Sequence, residues 1–384
     1  MKIAILHSGD MENISLGGVD RYIKSLILFS GNNEITVFGT TKKGEHELGC
    51  SYSKEYCGKE YIFIPISDNT KRPLSLYYMI KEFTWIRFLG QYDCIYAQRT
   101  EYSVPFLFSK NKKLLIQMIH GSSKYSEIGF GKRLARFHLL LEKIAISVAQ
   151  KTFIILNRSE FGVPYYKKKY SKYADRISYG RNPIDTSIYC KQDKNMSRLD
   201  LNLPQDKKIL IFSGRIEHNP KRVLLFPEIC EEIVKKHRDF LFVIIGEGSD
   251  MEQLKYIIEE RDLSCYFLLP GYIDDPRTIA KYNNSSDVSI NISKFEGTCT
   301  SNLEAIACNT PVISTDVGDI HECIYSGENG IIIPNEEKTI VSDAAKAFDL
   351  IISSGIKMNN AYEKYRGESV FKELEEAISE LRRD

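Results

Sequence analysis

No run of apolar residues in this chain reaches the length of about 18 that would cross a bilayer. Residues 1–7 (MKIAILH) read as the start of a strand rather than as a signal peptide. The nine cysteines are scattered, odd in number and never in a CxxC pair, which argues against a disulfide framework or a zinc site and for a reducing compartment. The net charge of +1 supplies no global field towards nucleic acid, so any basic patch must be local. A GxGxxG fingerprint is missing after the first apolar run, and no D-x-D motif occurs near the strand ends of the second half, where Asp274-Asp275 is the only acidic pair nearby. The seven histidines form no metal-ligand spacing. These absences leave a cytoplasmic chain with no metal and no nucleic-acid partner as the expectation.

What is present is an alternation of apolar runs and helical stretches over 384 residues, too many for one ordinary core and suited to two domains of roughly 150–200 residues. Hydrophobic content of 43% with 27% charged residues fits a globular enzyme. Runs at 2–7, 34–38, 61–66, 93–97, 114–119 and 152–156 predict a parallel, doubly wound sheet. The polar break at 181–206 opens a second series at 208–213, 240–245, 265–269, 287–292, 311–315 and 330–333. Helices between these are expected at 221–237, 249–260, 276–284, 302–308 and 337–353. The domains are placed at 1–180 and 181–365, with a charged amphipathic helix at 366–384 packing back on the first.

In such sheets ligands gather beyond the carboxyl ends of the strands. Glu296 and Glu304 stand eight residues apart and flank the loop Thr298-Cys299-Thr300-Ser301, which runs through Asn302 into a helix at Leu303. Helix-start amides can hold phosphate, while carboxylates accept hydrogen bonds from sugar hydroxyls. That pattern suits a nucleotide-sugar. Gly214-Arg215 closes one strand and Lys221 follows six residues after Arg215, giving two cations able to neutralise a diphosphate. Gly246 closes the next strand, and Tyr272-Ile273 the third, where a base could rest. In the first domain Gly17-Gly18 opens a helix, either for close approach to a phosphate or as a tight turn. His120 ends a strand, facing the crevice or serving the structure alone. The stretch 131–179 carries an amphipathic helix with Lys132, Arg133, Arg136 and Lys143, then Lys167, Lys168, Lys169, Lys172 and Arg176 among five tyrosines. Basic and aromatic residues together suit an anionic membrane surface, and a solvated face is the plainer reading.

Taken together these residues resemble the retaining glycosyltransferases of family 4, whose fold is GT-B: two Rossmann-like doubly wound α/β domains facing across a cleft. The E-x7-E motif matches Glu296 and Glu304, G-R-x5-K matches Gly214, Arg215 and Lys221, and N-P-x-D matches Asn182, Pro183 and Asp185. The early Gly-Gly loop matches Gly17 and Gly18, and the strand-end histidine matches His120. The resemblance implies that Arg215 and Lys221 hold the donor diphosphate and that Glu304 binds the ribose. It implies that Glu296 meets the transferred sugar and that His120 sits near the reacting carbon. Amides from Thr298 to Leu303 would touch the phosphates, with Gly17 and Gly18 closing from the first domain. It further implies metal-free front-face transfer with retention, from a UDP-sugar first and a GDP-sugar second. The acceptor would be a hydroxyl of a lipid-linked surface glycan, met at the inner face of the membrane. A non-catalytic partner subunit and a sugar-nucleotide epimerase are the rival expectations. Four positions depart from the family pattern: Arg222, Asn309 and Asp319 stand where glycine is common, and the loop Thr298–Ser301 is more polar than usual.

Overall fold

The structure, a computed structural model, describes residues 1–9, 18–71, 73–121, 132–158, 162–356 and 358–382, with the side chains of 132–134 excepted. Gly17 therefore lies outside the described residues. The chain divides into two units, Met1–Pro183 with Gly367–Asp384, and Ile184–Arg366.

The first unit is built on eight strands. They are β1 (Lys2–Leu6), β2 (Glu34–Thr41), β3 (Tyr52–Tyr56), β4 (Lys59–Asp68), β5 (Cys94–Ala97), β6 (Leu115–Ile119), β7 (Lys151–Ile154) and β8 (Ile177–Tyr179). Their order is β3-β4-β2-β1-β5-β6-β7-β8, and every pairing is parallel except β3 with β4. Parallel strands covered on both faces read as unbroken apolar runs, which is why KIAIL and its equivalents were visible in sequence. Two strands were not expected. β3 is a polar edge strand with alternating exposure, and β8 lies inside the lysine–tyrosine stretch.

Helix Gly367–Leu381 buries Val370, Phe371, Leu374, Ala377 and Ile378 in the core of this unit. Its first residue has no room for a side chain, because a Cβ there would lie 1.9 Å from the Phe29 ring.

The second unit carries β9 (Lys208–Ser213), β10 (Phe240–Ile245), β11 (Phe267–Gly271), β12 (Val288–Asn291), β13 (Val312–Thr315) and β14 (Gly330–Ile333). All run parallel, in the order β11-β10-β9-β12-β13-β14. The order reverses between β9 and β12, so the loops after those two strands bound the switch point where such sheets take ligands. β11 begins two residues later than the sequence suggests, because Ser264–Tyr266 forms a 3-10 turn. The Asp275 carboxylate caps helix Pro276–Ser285, accepting from the Arg277 and Thr278 amides at 3.2 and 3.0 Å, with Pro276 at its first turn. That capping accounts for half of the acidic pair noticed in the sequence. Among the described residues no helix is long and apolar enough to cross a membrane.

The single helix expected over 221–237 is broken. A short helix, His218–Lys221, ends where Arg222 takes a left-handed backbone (φ 54°), and the longer helix starts again at Phe226–Val234. The helix restarts only after the 3-10 turn Val223–Leu225, and Asn219-Pro220 kinks the short helix before the break, where proline holds Asn219 out of the helical region.

Candidate functional site

At the switch point of the second unit, Lys221 and Glu296 form an ion pair although 75 residues separate them. Their side chains are only 15% and 17% exposed, so the pair is mostly withdrawn from water. The Ser293 hydroxyl lies 2.7 Å from Glu296 Oε1 and 2.6 Å from Asn291 Oδ1, and its one proton serves one acceptor at a time. Thr315 at the end of β13 donates to the Ser293 carbonyl at 2.7 Å, fixing the loop that carries Glu296.

Desolvation draws the Lys221 ammonium down, but the Cys299 sulfur, then the Glu296 carboxylate and its hydrogen bond, outweigh it and hold its pKa above the ordinary value. Burial, then Glu296, pushes the nearby Cys299 thiol up. Cys299 is therefore an uncharged thiol at neutral pH, and Glu296 is the anion that holds Lys221.

The second expected cation is placed differently. Arg215 is 57% exposed and pairs with Glu217 at 3.1 Å rather than with the Glu296 loop. A pair this open contributes little to stability.

Glycines bring backbone close at the ends of β9 and β10. The Gly214 amide donates to Ile245 O at 3.0 Å, and Gly246 adopts φ 140° with its Cα packed on Gly214. A Cβ on Gly246 would lie 1.9 Å from the Gly214 carbonyl oxygen, so only glycine fits.

Helix Thr300–Ala307 starts from Cys299. The Asn302 and Leu303 amides already donate to the Cys299 carbonyl at 3.2 and 3.5 Å, which leaves Thr300 and Ser301 as the amides at the helix start. Asn302 and Leu303 point their side chains into the buried interior. Glu304 follows on the partly exposed side of this helix, one turn beyond Ser301, and Thr298 is likewise half-buried. Past β11, the Tyr272 hydroxyl donates to Asp274 at 3.0 Å, while Ile273 packs on the core. Two of the glycine departures share one backbone state: Arg222 at φ 54° and Asn309 at φ 65° are left-handed. Arg222 holds that conformation while its buried guanidinium donates to Ile292 O and Asn335 Oδ1, at 3.1 and 2.7 Å. Asp319, at φ −90°, needs no glycine.

In the first unit His120 follows β6 and hydrogen-bonds Gln98 Oε1 at 2.8 Å. Desolvation, then His7 and Arg99, pushes its imidazole down to about 3, so the ring is neutral at neutral pH. Bonding to a carboxamide oxygen puts the ring proton on Nε2 and leaves Nδ1 as an acceptor. Gly18 begins helix Gly18–Leu28, and no atom of the described residues would lie within 4 Å of a Cβ there.

The sequence reading missed the buried His7–Asp20 pair, which ties the end of β1 to the first turn of that helix. Its signal was an acid placed directly after the Gly-Gly-Val turn. Ser293, three residues before Glu296, was missed for want of a motif.

The structure gives the lysine–tyrosine stretch an internal task. Glu142 accepts from Tyr166, Tyr170 and Lys169 at 2.9, 2.6 and 3.0 Å, so three of its side chains are turned inward. Lys167 and Lys168 remain exposed. Among the described residues no three His, Cys, Asp or Glu side chains are grouped as metal ligands.

Residues 193–368 match the sequence profile of the "Glycosyl transferases group 1" family. The match spans nearly all of the second unit. N-acetyl-alpha-D-glucosaminyl L-malate synthase of Bacillus anthracis is 25% identical over 213 residues, 53% of this chain and 53% of that protein. The chain spans about half the length of the curated relatives it matches. In fold it is similar to a sucrose-phosphate synthase from Thermosynechococcus elongatus, with a TM-score of 0.78 at 15% identity over 99% of both chains. An Anabaena protein solved in complex with UDP matches with a TM-score of 0.69 at 14% identity, over 99% of this chain and 100% of that one. These likenesses establish the GT-B architecture of two parallel-sheet α/β domains.

Proposed function

We propose that this group 1 chain is a retaining glycosyltransferase. It takes a sugar from a UDP-sugar, with GDP-sugars second, and passes it to a hydroxyl of a lipid-linked surface glycan at a membrane. The observation that carries the reading is the Lys221–Glu296 pair at the switch point of the family-matched unit, beside glycine-lined strand ends. A cation there meets the diphosphate, and a carboxylate beside it meets sugar hydroxyls. Arg215, exposed and on the same loop, swings from Glu217 to the diphosphate when donor arrives. Glu304 takes the ribose, and the amides of Thr300 and Ser301 take a phosphate oxygen. Gly214 and Gly246 let the nucleotide lie against backbone, and Tyr272 with the Ile273 backbone borders the base. His120, neutral, accepts a hydrogen bond from a sugar hydroxyl.

The bond from the anomeric carbon to the diphosphate breaks while the acceptor oxygen bonds to the same face of that carbon. The acceptor's proton goes to the departing phosphate oxygen. Such a step uses positioned cations and needs no metal and no separate strong base.

The test is a thermal-shift panel of UDP, GDP, ADP and CDP, each with and without EDTA. A nucleotide at a hundred times its dissociation constant adds about 2.7 kcal/mol, or roughly 5–10 °C for a unit this size. Stabilisation by UDP that EDTA leaves unchanged is expected. Stabilisation by none of the four would turn the reading towards a non-catalytic partner subunit.

A further inference from the structure

The first unit carries a surface that the transfer reading does not use. Helix Leu74–Trp85 buries Tyr78 and Glu82 but leaves Ile80 and Phe83 exposed. The turn Ile86–Gln91 adds exposed Phe88, its ring 5.5 Å from Trp85, with the Arg87 guanidinium 4.7 Å over it. The stretch Thr100–Phe108 ends on Phe108, whose side chain is 91% exposed. The turn Lys110–Leu114 joins these pieces, since Asn111 Nδ2 donates to the Ile86 carbonyl at 2.8 Å. Lys110, Lys112 and Lys113 on that turn all face water. Exposed aromatic rings and exposed lysines thus sit on pieces of chain that this hydrogen bond ties together.

Along this stretch the exposed charge is mostly basic, with Asp68 of β4 the acid that faces Lys81. Between residues 74 and 114 the bases are Lys81, Arg87, Arg99, Lys110, Lys112 and Lys113, and the acids are Glu82, Asp93 and Glu101. Glu82 and Glu101 are buried, and Glu101 is paired with Arg99 at 2.7 Å. The Asp93 carboxylate takes the Lys2 amide and the Arg382 guanidinium, at 2.7 and 2.5 Å. No acid of this stretch is left to balance the surface lysines.

A cavity of about 410 Å³ opens beside the same turn. Leu107 forms an apolar lip, Lys112 and Arg176 bring two cations, and Gln150 and Tyr173 add polar groups. Two cations, the Tyr173 hydroxyl and an apolar edge suit a phosphodiester with an acyl chain leading away from it.

We infer that this face docks on an anionic phospholipid bilayer. Phe83, Phe88 and Phe108 enter the boundary between headgroups and acyl chains, Arg87 and the three lysines face lipid phosphates, and the cavity holds one headgroup. The contact is thus centred on residues 80–113, and of the stretch 131–179 it takes in the cavity wall with Tyr173 and Arg176, while Tyr166, Lys169 and Tyr170 are engaged by Glu142. A protein partner fits less well, since protein interfaces gather aromatic side chains into a core and deplete charge there. Here the rings are spaced and interleaved with cations. The inference goes beyond the donor reading and does not depend on it.

Vesicle sedimentation of the full chain tests it, using phosphatidylcholine alone and phosphatidylcholine with about one third phosphatidylglycerol. Binding to the anionic vesicles only, weakened by added salt, is expected. The triple variants Phe83→Ser/Phe88→Ser/Phe108→Ser and Lys110→Glu/Lys112→Glu/Lys113→Glu should each lower that binding by about ten-fold or more. Lys167→Glu/Lys168→Glu should leave it within about two-fold, since the tyrosines around those two lysines are buried or half-buried rather than exposed to insert. All the replaced side chains are exposed, so melting temperature and UDP stabilisation should stay as in the parent. No binding to anionic vesicles, or full binding by both triple variants, overturns the inference. Loss confined to the Lys167/Lys168 variant returns the contact to the lysine–tyrosine stretch and also overturns it. Self-association of the parent that the phenylalanine variant abolishes, without vesicle binding, assigns the surface to a second copy instead. Vesicle binding that persists while UDP fails to stabilise the chain sinks the donor reading alone.

Discussion

Glu296 and Lys221 neutralise each other in the free protein, and that has an unusual consequence for nucleotide binding. If Lys221 serves the donor diphosphate, a bound nucleoside diphosphate must share the lysine with the Glu296 carboxylate. The phosphate then sits about 6 Å from a like charge, which costs ~2.8 kcal/mol at an effective dielectric of ~20. The side chains keep 15% and 17% of their exposure, and halving the figure for solvent screening leaves about 1.4 kcal/mol. Glu296→Gln removes that repulsion and frees the lysine, so affinity for free UDP should rise about ten-fold. Turnover of the whole donor should nevertheless fall, because the sugar hydroxyls lose their carboxylate. Lys221→Met should do the reverse for UDP, weakening it by about ten- to a hundred-fold, and should cost ~1–3 kcal/mol of stability by stranding a half-buried carboxylate. The double variant should recover at least ~1 kcal/mol of that loss, since neither charge is then left alone. Calorimetric titration of UDP into the three variants, with urea unfolding beside it, gives every quantity. If Glu296→Gln weakens UDP as much as Lys221→Met does, the carboxylate is a direct ligand of the nucleotide and the reasoning fails.

Two further effects follow from backbone and protonation. Arg222 and Asn309 share a left-handed backbone at φ 54° and 65°, yet replacing them with glycine should act differently. Asn309→Gly should stay within ~0.5 kcal/mol of the parent, because asparagine already tolerates that region. Arg222→Gly should lose ~1–3 kcal/mol, because the relief of strain is smaller than the loss of two charged hydrogen bonds, to Ile292 O and Asn335 Oδ1. Urea midpoints decide between them, and an Arg222→Gly midpoint at or above the parent's would contradict the account. His120, held down to about 3, stays neutral in the folded chain while the unfolded chain protonates near pH 6.5. The folded state binds fewer protons in that window, so stability drains away as pH falls from about 6.5 towards 3. Between pH 7 and pH 5 the parent should lose about 1–2 kcal/mol more than His120→Gln, and parallel pH curves for the two would remove the histidine as the cause.

What the sequence disclosed and what it hid divide along physical lines. Strands such as β1, β9 and β10 were legible because burial on both faces demands unbroken apolar residues. β3 was not, because an edge strand is half exposed and YSKEY looks like loop. The break after Lys221 was hidden because Arg222 is no helix breaker by type and the apolar period that follows it reads as one helix. At the site, residue types were readable but pairings were not. Glu217, two residues from Arg215, takes that cation locally, whereas Lys221 reaches Glu296 only because β9 and β12 lie side by side. The glycine departures show the same limit from another direction. Sequence marks Arg222, Asn309 and Asp319 alike, but the first two occupy backbone that favours glycine and the third does not. Gly318, next to Asp319, is the residue that cannot change: it has φ 52°, and a Cβ would lie 2.0 Å from the Gly297 carbonyl oxygen. The Asp319 amide donates to that same carbonyl at 3.2 Å, so the turn after β13 is pinned directly against the loop bearing Glu296. The backbone on both sides of position 319 therefore holds the carboxylate loop in place.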